Sequence, residues 1–325
     1  MSHTPPQPVT QSVAFIGLGA VGGKLAGSLL RNGVDLMVLD LDAEKQARFV
    51  ARGARAGTTP EAAMAACDVV ITSLPSPAAS RAVATQMLPA VEPGKIWIEM
   101  STTDAQDMVA LAADVAARGG QAAECPVSGG CHRADTGNIS IFVGGDRETF
   151  DAVLPLMTLM GRRVLHTGAI GTASTLKVMT NFLATANLLT CCEALVTMKA
   201  QGLDMATTFE AMRISSGTSF VHETESQLIL SGARDVDFTM GLVAKDIGLF
   251  QKLADAAGVP LQMSPRMIDV WQNAMDRLGA DAQSDRVIEL LEEATGLCVR
   301  AEGFPLVLVD DEPEERGYEV RVARG

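Results

Sequence analysis

Aromatic residues are scarce in this chain of 325 residues, where Phe, Trp and Tyr together account for 4%. The hydrophobic share is nonetheless 47%, supplied largely by Ala, Val and Leu. A chain of this length can bury a sizeable core and form two domains. The composition therefore favours α/β or helical layers over an aromatic-rich β-sandwich.

Positive charge is also in short supply, with 26 Lys and Arg against 39 Asp and Glu and a net charge of −13. An acidic surface repels nucleic-acid backbones and anionic membranes, so neither is expected as a partner. A small carboxylate substrate remains open, because a pocket can be locally basic.

Metal-binding and disulfide patterns are missing as well. The six cysteines form no C-x-x-C pair and show no zinc-type spacing with histidine, so no metal site is predicted. They are expected to be small buried hydrophobic residues in a reducing cytoplasm. Residues 1–11 lack the basic start of a signal peptide and are predicted to be disordered.

The chain does contain a strong glycine motif. The apolar run Val13–Ile16 is typical of a strand buried on both faces. It leads into G-x-G-x-x-G and a helical pattern, and a second apolar run then ends at Asp40, eighteen residues beyond the last glycine. Strand, glycine turn, helix, strand and acid in this order predict a dinucleotide-binding unit.

This motif assigns cofactor binding to Gly17, Leu18, Gly19, Ala20, Val21 and Gly22. The first glycine is expected to make the turn, the second to admit the pyrophosphate, and the third to let the helix pack against the sheet. Asp40 is expected to bind the ribose hydroxyls and to repel a 2′-phosphate, and no Lys or Arg follows before Lys45. NAD is therefore the predicted cofactor, in preference to NADP.

Alternating strand and helix patterns continue to about residue 166, as in a doubly wound α/β sheet. The loops after two of these strands contain Leu74, Pro75 and Thr102. Ligands of open parallel sheets bind at such carboxyl ends, so the three residues are predicted to contact the cofactor. Ordinary loop packing, and capping of the next helix by Ser101 or Thr102, are the alternatives.

A further loop contains Ser128, Gly129 and Gly130 ahead of an apolar strand at 139–143. A serine followed by two glycines exposes a hydroxyl and two backbone N–H groups with little steric cover. Such a loop can bind a substrate carboxylate; a simple turn is the alternative.

Beyond Gly168 helical patterns dominate, beginning with a long one at 172–201. Lys177 and Asn181 lie four residues apart in it and project from one face, among apolar neighbours. Burial lowers the pKa of a lysine and suits it for proton transfer, whereas a lysine at the helix edge would simply reach solvent. The acidic end, 309–316, is expected to be mobile or to lie on a neighbouring subunit.

Together these motifs resemble the β-hydroxyacid dehydrogenase family, which includes 3-hydroxyisobutyrate dehydrogenase and tartronate semialdehyde reductase. The matching stretches, in the family's order, are 15–22, 126–130, 168–181 and 245–249. The resemblance implies an N-terminal NAD-binding Rossmann domain at 12–170 and an all-helical domain at 171–300, joined by the long helix. Residues 301–325 are then an acidic C-terminal extension.

The resemblance also implies roles for individual residues. Lys177 would donate or accept the proton at the substrate oxygen, and Asn181 would help to hold both. The loop at 128–130 would bind the substrate carboxylate, and Lys245 would reach the cofactor or close the cleft.

Three departures from the family pattern leave the substrate open. The usual Asp-Ala before the loop at 126–130 is Glu-Cys here, Cys-His-Arg follows the loop, and Phe182 replaces a second asparagine. His132, Arg133 or His222 is a candidate to bind a second polar or anionic substrate group, with a surface or supporting role as the alternative.

The predicted activity is NAD-linked oxidation of a small 3-hydroxy acid resembling 3-hydroxyisobutyrate, or reduction of its semialdehyde, in a homodimer or homotetramer. Imine reduction, or NAD(P) binding without catalysis, on the same scaffold are the alternatives. Imine reductases often lack this lysine, and it is lost in the non-catalytic relatives. The presence of Lys177 with Asn181 therefore favours the dehydrogenase. The 6-phosphogluconate dehydrogenases resemble this chain less, because their helical domain is much larger.

Overall fold

The computed structural model describes residues 9–322. The predicted disordered N-terminus, 1–11, therefore lies largely outside the described residues. The chain divides into two compact units. The first unit runs up to Lys177 and resumes at Asp310, and the second spans Val178 to Val309. This division coincides neither with the predicted boundary at 170 nor with an extension that starts at 301.

The first unit alternates strands and helices, as the sequence predicts. Its strands are β1 Val13–Ile16, β2 Leu36–Leu39, β3 Arg55–Ala56, β4 Val69–Thr72, β5 Ile96–Glu99, β6 Gln121–Glu124, β7 Val127–Ser128, β8 Ile139–Gly144, β9 Gly161–Gly168 and β10 Tyr318–Val320. Its helices are α1 Ala20–Arg31, α2 Ala43–Val50, α3 Pro60–Ala66, α4 Pro77–Met87, α5 Ala105–Ala116, α6 Gly130–Asp135 and α7 Arg147–Met160.

The strands form one sheet in the order β10-β9-β8-β6-β5-β4-β1-β2-β3, with β7 beside β8. Strands β1 to β6 pair in parallel, and β8 turns antiparallel to β6. The run 3-2-1-4-5-6 is that of a dinucleotide-binding fold, whose order reverses between β1 and β4. Every residue of β1, β4 and β5 is buried, and these strands are apolar except for Thr72 and Glu99 at the ends of β4 and β5.

The helix α8, Thr172–Ala200, contains the division between the units. It is long and apolar enough to span a membrane by length and composition alone. Leu188, Cys192, Leu195 and Val196 from it lie in the hydrophobic core of the second unit, so packing accounts for part of its apolar character.

The second unit is built of helices, with an irregular segment at 296–309. Its remaining helices are α9 Met205–Arg213, α10 Phe220–Ser231, α11 Met240–Ala256, α12 Met263–Leu278 and α13 Ile288–Thr295. Four helices are not predicted from the sequence: α4 and α6 of the first unit, and α10 and α13 of the second. Ser76 and Ser219 cap α4 and α10 by accepting hydrogen bonds from the N–H groups of Ala79 and His222, so a serine at the helix start is the local signal for both.

The acidic C-terminal segment corrects another prediction. It is neither mobile nor placed on another subunit, because β10 pairs in parallel with β9 and extends the sheet of its own chain. The strand lies at 318–320, just beyond the acidic run at 309–316. Glu319 pairs with Arg147 at 2.7 Å and Glu312 pairs with Arg163 at 2.9 Å, so basic side chains of the first unit hold the acidic segment.

Candidate active site

The glycine turn between β1 and α1 shows three different constraints. Gly17 has φ = 99°, and a Cβ there would lie 2.2 Å from the Ser73 carbonyl oxygen. A Cβ on Gly22 would lie 2.2 Å from the Gly17 carbonyl oxygen, so the helix packs directly on the turn. At Gly19, by contrast, the space is open.

This open position suits a dinucleotide. Gly19 is the exposed N-cap residue of α1, and no side chain caps the helix there. Backbone N–H groups at a free helix start attract phosphate oxygens. Ala20 is also exposed, whereas Leu18 is buried and Val21 half-buried. The residues present therefore fit NAD at this loop.

Asp40 lies at the end of β2 with its carboxylate already oriented. It accepts hydrogen bonds from the backbone N–H of Leu18 at 2.5 Å and of Asp42 at 2.8 Å. The acid is thus tied directly to the glycine turn. The cation nearest to Asp40 in sequence is Lys45, and its ammonium pairs with Asp42 at 3.6 Å.

A buried polar network holds the loops that follow β4 and β5. The Leu74 N–H donates to Ser101 Oγ at 2.7 Å, and the Ser101 hydroxyl and backbone N–H both donate to Glu99. Glu99 is 1% exposed and also accepts from Thr72 at 3.0 Å. Burial raises the pKa of Glu99, and these donors oppose the rise.

Two details of these loops differ from the sequence analysis. Asp104, not Ser101 or Thr102, caps α5, because its carboxylate accepts from the N–H groups of Gln106 and Asp107. Pro75 is exposed and Thr102 half-buried. Both lie at the carboxyl ends of parallel strands, as predicted, and their contact with the cofactor stays a prediction.

The loop with Ser128, Gly129 and Gly130 joins β7 to α6. Ser128 is half-buried and pairs with Ser140 of β8, so the backbone on one side of the loop is fixed. Gly129 and Gly130 have φ of 130° and 84°, conformations that side chains would strain. The geometry is more specialised than that of a simple turn.

Lys177 is buried, at 7% exposure, in the second turn of α8. The start of this helix is held by Glu124 at the end of β6. Glu124 is fully buried and accepts from the Ala173 N–H at 2.7 Å and from the Ser174 hydroxyl at 2.5 Å. A carboxylate at a helix N-terminus accepts hydrogen bonds from N–H groups that lack intrahelical partners. It also interacts favourably with the positive end of the helix dipole.

In the second unit, one acid connects two predicted site residues. Asp246, 1% exposed, accepts a hydrogen bond from the Asn181 side-chain amide and pairs with Lys245 at 3.1 Å. Sequence reasoning missed Glu99, Glu124 and Asp246. The sequence signal for the first two is an acid at the carboxyl end of a strand.

Two family models match the chain in succession. The model for the NAD binding domain of 6-phosphogluconate dehydrogenase matches residues 12–168, and that for the NAD-binding part of NADP-dependent 3-hydroxyisobutyrate dehydrogenase matches residues 171–291. A 2-(hydroxymethyl)glutarate dehydrogenase from Eubacterium barkeri is 32% identical over 292 residues, covering 88% of this chain and 97% of that protein. The chain belongs to the β-hydroxyacid dehydrogenase family.

Other relatives agree on the scaffold. The NAD-dependent L-serine dehydrogenase of Pseudomonas aeruginosa is 30% identical, covering 88% of this chain and 99% of that protein. The solved structure of Mycobacterium tuberculosis 3-hydroxyisobutyrate dehydrogenase with L-serine has a TM-score of 0.77 at 25% identity, covering 87% of this chain and 99% of the other. Human cytokine-like nuclear factor N-PAC is 28% identical, and this chain spans about half of its length, 49%. The predicted family, fold class, NAD and dehydrogenase class are confirmed.

One polar candidate and one departure from the family pattern lie in the second unit of this β-hydroxyacid dehydrogenase. His222 is fully buried in the second unit, where its ring nitrogens bond to the Phe209 carbonyl oxygen and the Ser226 hydroxyl. It is therefore a core residue and no candidate for substrate binding. Phe182 stacks on Phe250 with ring centroids 4.3 Å apart, so the missing second asparagine is a packing residue here.

The cysteines behave as small hydrophobic residues: five are buried, all six are free, and only Cys298 is exposed. Burial raises the pKa of Cys125 and Cys192 well above the usual value, which suppresses their thiolates. Within residues 9–322, no group of three or more His, Cys, Asp or Glu side chains is arranged to hold a metal ion.

Proposed function

We propose that this enzyme oxidises a small 3-hydroxy acid, or reduces the corresponding semialdehyde, with Lys177 as the general acid–base group. The burial of Lys177 carries this proposal, because an ammonium is costly to bury and stability alone gives no reason to place it there. Asn181 lies one turn further along the same helix.

Each residue in the predicted set has a chemical task. In oxidation, Lys177 takes the proton of the substrate hydroxyl, and in reduction it returns the proton to the carbonyl oxygen. Asn181, held by Asp246, orients that oxygen. Ser128, Gly129 and Gly130 donate hydrogen bonds to the carboxylate. When bound, the cofactor would accept the hydride as NAD⁺ in oxidation and donate it as NADH in reduction.

The cofactor-binding roles remain proposals. Gly17 and Gly22 shape the turn, while Leu18, Gly19, Ala20 and Val21 provide backbone near the phosphates, and Asp40 binds the ribose. Leu74, Pro75 and Thr102 would contact the nicotinamide side. Lys245, oriented by Asp246, would reach the cofactor.

The names of the relatives suggest a substrate class. 2-(Hydroxymethyl)glutarate, L-serine and 3-hydroxyisobutyrate all have a primary alcohol on the carbon next to the one that bears the carboxylate. They differ in the group at C2, which is carboxyethyl, amino or methyl. We infer that the substrate is a 2-substituted 3-hydroxypropanoate.

The test is NAD reduction by the purified protein at mildly alkaline pH, with a panel of such acids that differ at C2. Lys177→Ala should reduce turnover of the best substrate by at least roughly a hundredfold, the lower end for a lost acid–base group. Lys199→Ala, on the same helix, is the matched control and should leave turnover unchanged.

Equal activity of Lys177→Ala and the wild type would refute the role of the lysine. If NAD binds but no acid is oxidised, the substrate class is wrong, and NAD binding without catalysis becomes the better explanation. Turnover of cyclic imines, but not of hydroxy acids, would favour the imine reductase alternative.

Assembly and location also remain predictions. In the apolar window of α8 only 33% of residues are buried within this chain, which supports a homodimer or homotetramer. Light scattering coupled to size-exclusion chromatography measures the mass directly. The cytoplasmic location rests on the free cysteines.

A further inference from the structure

The C-terminal segment 310–320, called here the strap, lies beyond the matched family region, which ends at residue 291. It follows the first unit through a series of contacts between acids and basic side chains. Besides the pairs at Glu312 and Glu319, Glu314 pairs with Arg31 at 3.1 Å and Glu315 pairs with Arg162. The strap is therefore part of the NAD-binding unit.

The first residue of the strap contacts the segment that follows the loop at 128–130. Asp310 has a side chain only 3% exposed and accepts hydrogen bonds from Thr136 Oγ1 and, at 2.7 Å, from Asn138 Nδ2. Asn138 is fully buried and also donates to the Glu312 carbonyl oxygen at 2.9 Å. The end of α6 is thus bonded to the strap through two side chains.

Asp310 also faces Arg133, with Oδ1 and Nε 3.8 Å apart. The stem of Arg133 packs against the loop, since a Cβ built on Gly129 would lie 3.5 Å from Arg133 Cδ. Arg133 comes one helical turn after Gly130, and its backbone carbonyl accepts from the Asn138 N–H at 2.8 Å. A short helix of six residues, Gly130–Asp135, therefore connects the loop at one end to Asp310 at the other.

Electrostatics support the arrangement. Burial opposes the ionised form of Asp310, but hydrogen bonds from Thr136 and Asn138 lower its pKa, so the side chain is a carboxylate at neutral pH. The Asp310 carboxylate attracts the Arg133 guanidinium and so restricts its conformations to those beside the loop at 128–130.

We propose that Asp310 is a positioning residue: through Arg133, Thr136 and Asn138 it holds the loop at 128–130 in the conformation that binds the substrate carboxylate. This inference rests on the proposed function only for the identity of the ligand. It assigns a role to a segment beyond the matched family region, and it makes the strap a determinant of substrate affinity.

The test compares Asp310→Ala with Glu319→Gln in the full-length protein. Glu319→Gln removes an acid–base pair at the far end of the strap and serves as the matched control. Hydrogen–deuterium exchange of the peptide that covers 127–138 should become about tenfold faster in Asp310→Ala and stay unchanged in Glu319→Gln. The KM for the acid should rise about tenfold, with kcat within about twofold and the KM for NAD unchanged.

If Asp310→Ala does not fold, Asp310→Asn keeps one acceptor, removes the charge opposite Arg133, and should shift exchange and KM in the same direction. Unchanged exchange in both Asp310 variants, or equal effects in Glu319→Gln, would overturn the proposal. Faster exchange with an unchanged KM would overturn the link to substrate. If no panel acid is oxidised, the proposed function fails, and the exchange experiment still decides the positioning role.

Discussion

Buried acids are used differently in the two units. In the first, Glu99 and Glu124 are enclosed and receive hydrogen bonds from hydroxyl and backbone N–H groups. In the second, both carboxyl oxygens of Asp285 and one of Glu225 are buried without a hydrogen-bond partner among the described residues. Satisfied acids hold loops in place, whereas unsatisfied ones make stability depend on pH.

The pKa values follow this contrast. Burial raises the pKa of Glu225 to about 8, with Asp285 adding repulsion. Burial also raises the pKa of Asp285 to about 7, and Arg234 opposes the rise. In the first unit the donors around Glu124 oppose the increase that burial causes. The pKa of Glu124 is still raised, but its hydrogen-bond donors limit a rise that no comparable donor among the described residues limits at Glu225.

The largest effect is expected from Glu124→Ala. It leaves the Ala173 N–H and the Ser174 hydroxyl buried without their acceptor, so the free energy of unfolding should fall by about 3 kcal/mol. Because α8 carries Lys177, kcat should fall as well. Urea denaturation and steady-state kinetics measure the two effects.

Glu124→Gln is the control for that variant, because its amide oxygen can still accept from Ala173. Its loss of stability should be clearly smaller. An alanine variant as stable as the wild type would show that the helix start needs no acceptor from β6.

A smaller effect concerns pH. Because both folded-state pKa values in the second unit are raised, their stabilising contribution is complete below about pH 4 and is lost as pH rises through 7 to 8. Glu225→Gln stays neutral at every pH. Its Tm should therefore fall less than that of the wild type between pH 5.5 and 8.5, as measured by circular dichroism.

His132 in the first unit titrates in the opposite sense. Burial and Arg133 lower its pKa, so its contribution is lost as pH falls below about 6.5. The difference between wild type and Glu225→Gln isolates the titration of Glu225 from this background, because His132 is present in both proteins. Parallel Tm curves would mean that Glu225 does not titrate in this range.

The smallest effect, the loss of a serine helix cap, should cost the same unfolding free energy in both units. Ser76 caps α4 and Ser219 caps α10, each through one backbone N–H. Replacing either with alanine should cost about 1 kcal/mol of unfolding free energy, measured by urea denaturation. A cost confined to one unit would show that the units differ in more than their buried acids.

Local signals determined much of the first unit. The main parallel strands, the glycine turn and Asp40 are recognisable because each depends on neighbours within about forty residues. Weaker local signals were passed over: Ser76 before Pro77 predicts a helix start, and Ser219 before an apolar run predicts another.

Only the tertiary structure decided which polar residues act together. Glu124 meets Ala173, Asn181 meets Asp246, and Asp310 meets Thr136 across long stretches of chain. His222 looked functional because polarity alone does not reveal whether a ring faces a core or a ligand. The acidic segment looked mobile because its charge is visible in sequence, but the arginines that neutralise it are not adjacent to it.

The sequence alone determined the family, the glycine turn after β1 and the position of Lys177 on a helix, because periodicity and glycine spacing are local properties. The tertiary structure determined that Glu124 holds the start of that helix and that β10 extends the sheet of the first unit. Those features depend on pairing between distant residues, and composition and spacing do not encode such pairing.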